Sequence, residues 1–276
     1  IDDYAFESCT QLREIEFHPE SQLRFIGNNV FNSSILDRIE IPAGVLKLKN
    51  DWFESIPPLT QISVSPSNHH FKVINDGMLA YREDIESDEF DTIIFAPRNA
   101  EQLTIPSNIK VLDSFCFANC VSLRQVVIPP DSQLRLIGTK SFYKTAIESI
   151  TIPNGVIAIE SCAFESCQHL HIFNLSSESQ LRSIGFAALR ATQIESLELP
   201  EGFSEAKEAF FIQTPSLNRV SVQPSNRFFR VINDGMLAYR KDPESDEFDT
   251  ILFAPRNAEQ LTIPSNIKVL DSFCFA

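Results

Sequence analysis

An elongated β-rich solenoid, built of about ten stacked rungs with a parallel sheet on one face, is the fold class that this sequence predicts, and three observations predict it. Residues 1–118 align with 159–276 at a constant offset of 158, and Val64–Ala118 differs from Val222–Ala276 at seven positions. Inside each unit the motif Leu-x-x-Ile-x-Ile recurs. A second motif, an aliphatic residue followed five positions later by Phe, alternates with the first. Self-similarity on this scale is the mark of a repeat array.

The first motif runs from Leu12/Ile15/Phe17 through Leu36/Ile39/Ile41 to Leu217/Val220/Val222, with Ala100/Leu103/Ile105 and Ala258/Leu261/Ile263 as weaker members, giving ten rungs. Its closing residues alternate apolar and polar, which predicts a strand. Proline follows most of these strands, as at Pro42, Pro106, Pro153 and Pro200, where a missing N–H costs no ladder bond. The second motif places Phe6, Phe31, Phe53, Phe117, Phe142, Phe164 and Phe275 on the opposite side, and Ile184/Leu189 and Ala206/Phe211 are drifted forms. That side is expected to consist of short turns or single helical turns. Gly27, Gly138 and Gly185 follow the aliphatic residue, where a tight turn is expected. One rung cannot bury enough apolar surface to stand alone, so the rungs must stack into one continuous core, with strands about 4.8 Å apart.

Spacing between successive Phe positions is 25, 22, 64, 25 and 22, and then repeats. The 64 holds an insert, about 73–97 and again about 231–255. Asn75-Asp76-Gly77 and Asn233-Asp234-Gly235 are turn signals ahead of two strand-like segments, Met78 to Arg82 and Thr92 to Phe95, with a second copy at Met236 to Arg240 and Thr250 to Phe253, so each insert reads as a β-hairpin.

The run Tyr4-Ala5-Phe6-Glu7-Ser8-Cys9 leading to Leu12 and Ile15, and Cys162-Ala163-Phe164-Glu165-Ser166-Cys167 leading to Leu170, resembles the leucine-rich repeat of BspA-like surface proteins of bacteria and protists. The insert is similar to the hairpin that such proteins carry between repeats. The resemblance covers the whole chain. It implies a leucine-rich-repeat solenoid that adheres at the cell surface or binds host or matrix proteins. The chain departs from the family pattern where the usual Asn or Cys column is filled only at Cys9, Cys120 and Cys167, and where Leu189 replaces Phe.

Length and composition fit a single solenoid over residues 1–276. The chain begins at a repeat boundary and stops partway through a rung, which reads as a fragment of a longer protein whose targeting segments lie elsewhere. No apolar run approaches the ~18 residues of a membrane span, so this segment is not expected to insert directly. A net charge of −14 argues against nucleic acid and anionic membrane as partners. Most of it lies in the inserts. Glu83, Asp84, Glu86, Asp88, Glu89 and Asp91 give −6, and Asp242, Glu244, Asp246, Glu247 and Asp249 against Lys241 give −4. The constant offset predicts that both acidic tips project from one side, suited to a bivalent grip on a basic or repetitive protein. The alternative is a solvated loop that blunts a β edge. Alternating Asp84, Glu86 and Asp88 lack the spacing and glycine of a calcium loop.

The rungs that hold the six cysteines are never adjacent, too far apart for Cα atoms of different rungs to come within about 7 Å, and Cys116 and Cys120, which share a rung and could approach, match the Ala5/Cys9 pair and read as core filling, so free, mostly buried thiols are expected. His69-His70 becomes Arg227-Phe228 in the second copy, which a metal site or general base would not survive. No cofactor is implied. The outward carboxylates Glu16, Glu40 and Glu198 occupy equivalent repeat places, as surface decoration does, and no catalytic motif appears, so an enzyme is not expected. Outward strand positions, among them Arg13, Glu16, Arg38, Arg124, His171 and Arg219, are polar and nearly free of aromatics, so affinity would come from many small contacts. Asn32-Ser-Ser and Asn174-Leu-Ser are glycosylation sequons that matter for a secreted chain. The function expected is non-enzymatic protein binding in cell-surface adhesion; an intracellular scaffold for protein–protein contacts is the rival.

Overall fold

The computed structural model describes residues 1–49, 51–52, 59–82, 84–207, 209–240 and 246–275. Phe53, a predicted core position, and the predicted binding residues Glu83, Asp242 and Glu244 lie outside them. The chain is a β-solenoid of about 10 turns with almost no helix. Most rungs give one strand to a front sheet and one to a back sheet, and a run of turns closes the coil.

The Leu-x-x-Ile-x-Ile motif builds the front sheet. Arg38–Ile41 pairs in parallel with Gln61–Val64, then Gln102–Thr104, Gln125–Val127, Ser149–Thr151 and Ile172–Asn174 follow, then Ser196–Leu199 with Arg219–Val222. Strict in–out alternation, as in Arg38–Ile41, drives this: Ile39 and Ile41 are buried while Arg38 and Glu40 face water. Proline at the strand exit starts the corner. Its carbonyl accepts the N–H three residues on, as in Val45 N to Pro42 O at 3.2 Å and Val156 N to Pro153 O at 3.1 Å.

Among the described residues the turn side holds no α-helix. Tyr4/Ser8, Asn29/Ser33, Phe115/Asn119, Lys140/Lys144, Cys162/Ser166, Ala187/Ala191 and Ala209/Gln213 take φ of 49–63°, the left-handed region. Such a conformation costs a non-glycine residue on the order of 1–2 kcal/mol. Hydrogen bonds between rungs offset it: Phe115, Phe117 and Asn119 donate to Thr139 O, Ser141 O and Tyr143 O at 2.8–2.9 Å, and the next rung repeats the pattern. The glycines have a different reason from the tight turn expected. Gly27, Gly138 and Gly185 do not have positive φ; a Cβ on Gly185 would lie 2.4 Å from Ser161 N, inside the backbone of the preceding rung.

Phe117, Phe142 and Phe164 stack at 4.9 and 5.0 Å along the axis, so the second motif forms an aromatic spine. Trp52 is buried against Phe31. The core is divided in three rather than continuous. The inserts divide it. Each carries a third strand that the sequence reading did not separate, so that Phe71–Ile74, Met78–Tyr81 and Thr92–Phe95 form an antiparallel meander, as do Phe229–Ile232, Met236–Tyr239 and Thr250–Phe253. Asp76 at φ 57° and Gly77 at φ 81° form the tight turn joining the first two strands. The last strand of each meander pairs in parallel with the next back strand, so the meander is a wall within the solenoid. Leu79 and Phe95 pack into the core on one side, Met78 and Ile93 into the core on the other.

Three back strands enter where the front sheet gains none. The front ladder is therefore interrupted after Gln61–Val64 and after Arg219–Val222, and it also breaks between Ile172–Asn174 and Ser196–Leu199, where no meander enters. The back sheet also breaks before each meander, and a buried asparagine bridges the break. Asn68 Nδ2 donates to Pro42 O and Val45 O at 2.8 and 2.9 Å, while its Oδ1 accepts from His70 N and Phe71 N at 2.8 and 3.1 Å. Asn226 repeats all four bonds in the second copy.

Candidate binding surface

The outward residues of the front sheet fall into the three separate segments of that sheet. Glu16 and Arg38 come together in the first, where a groove of about 440 Å³ is lined by Glu14, Glu16, Arg38, Glu40, Gln61 and Ser63 among others. Arg38 pairs with Glu14 in the neighbouring rung. Glu16 and Glu40 occupy the same place in successive repeats, so two carboxylates stand side by side. Arg13 is exposed beside them. Arg124 lies in the middle segment, paired with Glu148 at 3.0 Å, and His171 Nδ1 is 2.6 Å from His169 O in that segment. Arg219 lies in the third, beside Ser196. The six are not brought to one point; they spread along the axis. Glu198 accepts from Gln223 Nε2 at 3.3 Å, in a different segment from Glu16 and Glu40.

The acidic loops are less charged than their sequence. Lys110, in the next back strand's rung, sits 3.3 Å from Glu89 and 3.2 Å from Asp91, and these bonds, that to Asp91 foremost, hold its ammonium above the usual lysine range. Lys268 does the same for Glu247 at 2.8 Å and Asp249 at 3.4 Å, its ammonium raised chiefly by Glu247. Arg240 lies 3.5 Å from Asp246. Among the described residues no cation reaches Asp84, Glu86 or Asp88, and the Asp84 carboxylate accepts from Glu86 N at 2.9 Å. The sequence reading missed both lysines. Their recurrence at the same place of each copy was the signal that could have found them.

Each loop is also pinned by an aromatic ring. Arg82 lies 4.7 Å and Lys72 5.8 Å from the Phe90 ring centre, and Arg82 donates to His69 O and Ser87 O. Arg230 and Arg240 stand over Phe248 at 4.3 and 5.5 Å. These cation–π pairs fold the loop base onto the meander.

All six cysteines are free. Burial pushes the Cys167 thiol up to about 12, against hydrogen bonding with Thr145 that lowers it, and it donates to Phe142 O at 3.0 Å. The column that the sequence reading found filled at Cys9, Cys120 and Cys167 holds Ser34, Thr145, Thr192 and Thr214 in other rungs, all buried. Thr192 Oγ1 donates to Leu189 O at 2.8 Å, so threonine and cysteine in this column both satisfy a turn carbonyl, whereas the buried Ser34 hydroxyl has no partner among the described residues. Among the described residues no group of three or more His, Cys, Asp or Glu could hold a metal ion, and no helix is long and apolar enough to cross a membrane.

Among solved structures, a leucine-rich repeat protein from Eubacterium ventriosum is similar over 99% of this chain and 66% of its own, at 20% identity and a TM-score of 0.72. The pneumococcal vaccine antigen PcpA is similar over 78% of this chain and 48% of its own, at 23% identity and a TM-score of 0.57. This chain thus corresponds to about half of PcpA and just under two thirds of the Eubacterium protein. At such identities the likeness establishes the fold. Comparison with curated proteins finds no match. The model of the BspA type leucine rich repeat region matches residues 1–94 and 88–218 with six copies, and the chain belongs to that family.

Proposed function

We propose that this chain is a non-enzymatic binding module for another protein, working at the cell surface in adhesion or in capture of a host or matrix protein. One observation carries the reading: exposed, polar side chains repeat rung after rung along the front sheet, which suits an extended protein ligand better than a small molecule. Leucine-rich repeats typically bind proteins, and a vaccine antigen among the structural neighbours supports a surface location. The residues proposed to touch the ligand are Arg13, Glu16, Arg38, Arg124, His171 and Arg219. Asp84, Glu86 and Asp88 are added from the first loop, and the equivalent carboxylates from the second. A basic or repetitive ligand fits their charge. Glu89, Asp91, Glu247 and Asp249 are given a lesser part, because Lys110 and Lys268 each bridge one pair and offset one of its two charges.

The test is capture of serum and matrix proteins by the immobilised chain, compared with a variant in which Arg38, Arg124 and Arg219 become Glu and with one in which both loops are neutralised. Loss in the first variant alone assigns the ligand to the sheet. Equal capture by all three removes both surfaces from the mechanism. Six free thiols favour the rival reading, a scaffold in a reducing compartment. Labelling of intact cells with a membrane-impermeant reagent separates the two: a chain that is never labelled belongs inside.

A further inference from the structure

We propose that the edge of the front strand Gln61–Val64 is a docking site for an extended, acidic and β-branched peptide segment of a partner protein, which adds to the sheet as a further strand. The site adjoins the outward sheet face, sharing Ser63 and Ser65 with the groove there, but it uses the backbone edge of the strand.

Within the ladder, Arg38–Ile41 pairs with Gln61–Val64 on one side, and Gln61 N donates to Asp37 O and Ser65 N to Ile41 O at 3.3 and 2.9 Å. Those bonds turn the backbone groups of residues 61, 63 and 65 toward that partner. The N–H and C=O groups of Ile62 and Val64 therefore face the opposite edge. Among the described residues no strand pairs there, because the meander adds its three strands to the back sheet and leaves the front sheet interrupted.

A cavity of about 520 Å³ lies along that edge. It is lined by the consecutive residues Ile62 to Pro66 on one side and by Phe71, Lys72, Val73 and Phe90 on the other. A consecutive lining of this kind means that open space follows the backbone. An unpaired strand edge is a template for an incoming chain, with main-chain bonds giving affinity and side-chain pockets giving choice. Ile62, Val64, Val73 and Phe90 suit β-branched side chains. Lys72, exposed on the meander and without a carboxylate in ion-pair reach among the described residues, suits an acidic one. The second copy keeps the same elements at Arg219–Val222, with Phe248 for Phe90 and Arg230 for Lys72.

The test uses the whole chain and a capped hexapeptide of alternating valine and glutamate at neutral pH. Amide hydrogen exchange at Ile62 and Val64 is followed as the peptide is titrated. Exchange is expected to slow at both amides as the site saturates. Lys72→Glu, an exposed change checked for folding by circular dichroism, is expected to raise the concentration needed at least tenfold. The same peptide N-methylated at alternate amides is expected to give no protection. Lys144→Glu, an exposed change outside both surfaces, is expected to leave protection unchanged, and capture of serum and matrix proteins is scored separately, so loss of the sheet-face reading and loss of this one are distinguishable. No slowing at about 1 mM peptide, equal protection by the N-methylated peptide, or indifference to Lys72→Glu would each overturn the proposal.

Discussion

Replacing Asn68 by alanine tests how the solenoid holds together where its ladders break. Four hydrogen bonds of 2.8–3.1 Å converge on that side chain, two from its amide to the carbonyls of Pro42 and Val45 and two to its oxygen from His70 and Phe71. The residue is buried, so truncation strands buried donors and acceptors. At about 1 kcal/mol for each bond the loss is about 4 kcal/mol, a large share of the ~5–15 kcal/mol that holds a typical domain. In urea unfolding followed by circular dichroism, a slope of about 3 kcal/mol per molar moves the midpoint down by about 1.3 M. Asn68→Asp separates the two halves of the clamp. It keeps the acceptor for His70 and Phe71 but sets a carboxylate oxygen against two carbonyls, so it should be as damaging at neutral pH and recover on acidification, when the protonated group can donate. Asn226→Ala should cost the same, because its four bonds match, and the double variant should be additive within about 0.5 kcal/mol across the intervening rungs. A loss under 1 kcal/mol, or an aspartate variant as stable as the parent at neutral pH, would refute the reasoning.

Gly185→Ala is expected to cost about 2–3 kcal/mol in the same assay, since its methyl meets backbone at 2.4 and 2.6 Å, whereas Gly202→Ala, with nothing within 4 Å, should be neutral. Phe142→Ala opens the stack between Phe117 and Phe164 and should lower stability by about 3–5 kcal/mol; a smaller loss would mean that the rungs collapse onto the gap. Burial raises the Cys162 thiol to about 11 and the Cys167 thiol to about 12, so a thiol reagent near pH 8 should modify exposed Cys9 in the native protein and Cys116, Cys120 and Cys167 after unfolding. These thiols keep their protons in the folded chain above the ordinary value of about 8.5. Their contribution is thus complete below that pH and is lost as pH rises toward 12, which alkaline unfolding curves would show. Lys110→Ala removes exposed, solvent-screened pairs with Glu89 and Asp91 and should leave the urea midpoint nearly unchanged while speeding amide exchange in residues 84–91.

The rung period, the front strands and the aromatic spine were legible in the sequence, because each rests on a side chain that must recur for neighbouring rungs to pack. Features carried by the backbone were not. Tyr4, Phe115 and Lys140 take left-handed φ without the usual glycine or asparagine, and what supports them is hydrogen bonding from the adjacent rung, which leaves no mark on residue type. The strand Phe71–Ile74 hid for a related reason: its alternation is four residues long, too short to stand out from the loop before it. Of the candidate surface, residue identities were legible but not their pairing. Lys110 reaches Glu89 across 21 positions, a contact set by the rise from one rung to the next.

Burial itself is a property of neighbours in this fold. Leu112 and Phe117 are fully buried because they lie under the rungs carrying Ile137 and Phe142. A side chain in such an array contributes to stability in proportion to what the adjoining rung places over it, so mutational cost should follow position in the stack more closely than residue type. The same logic sets where binding can evolve without loss of fold. Outward front-sheet residues and the loops at 84–91 can vary freely, because the rungs stack through the opposite side of each strand, whereas the edge at Ile62 and Val64 is left unpaired among the described residues where the meander enters the back sheet.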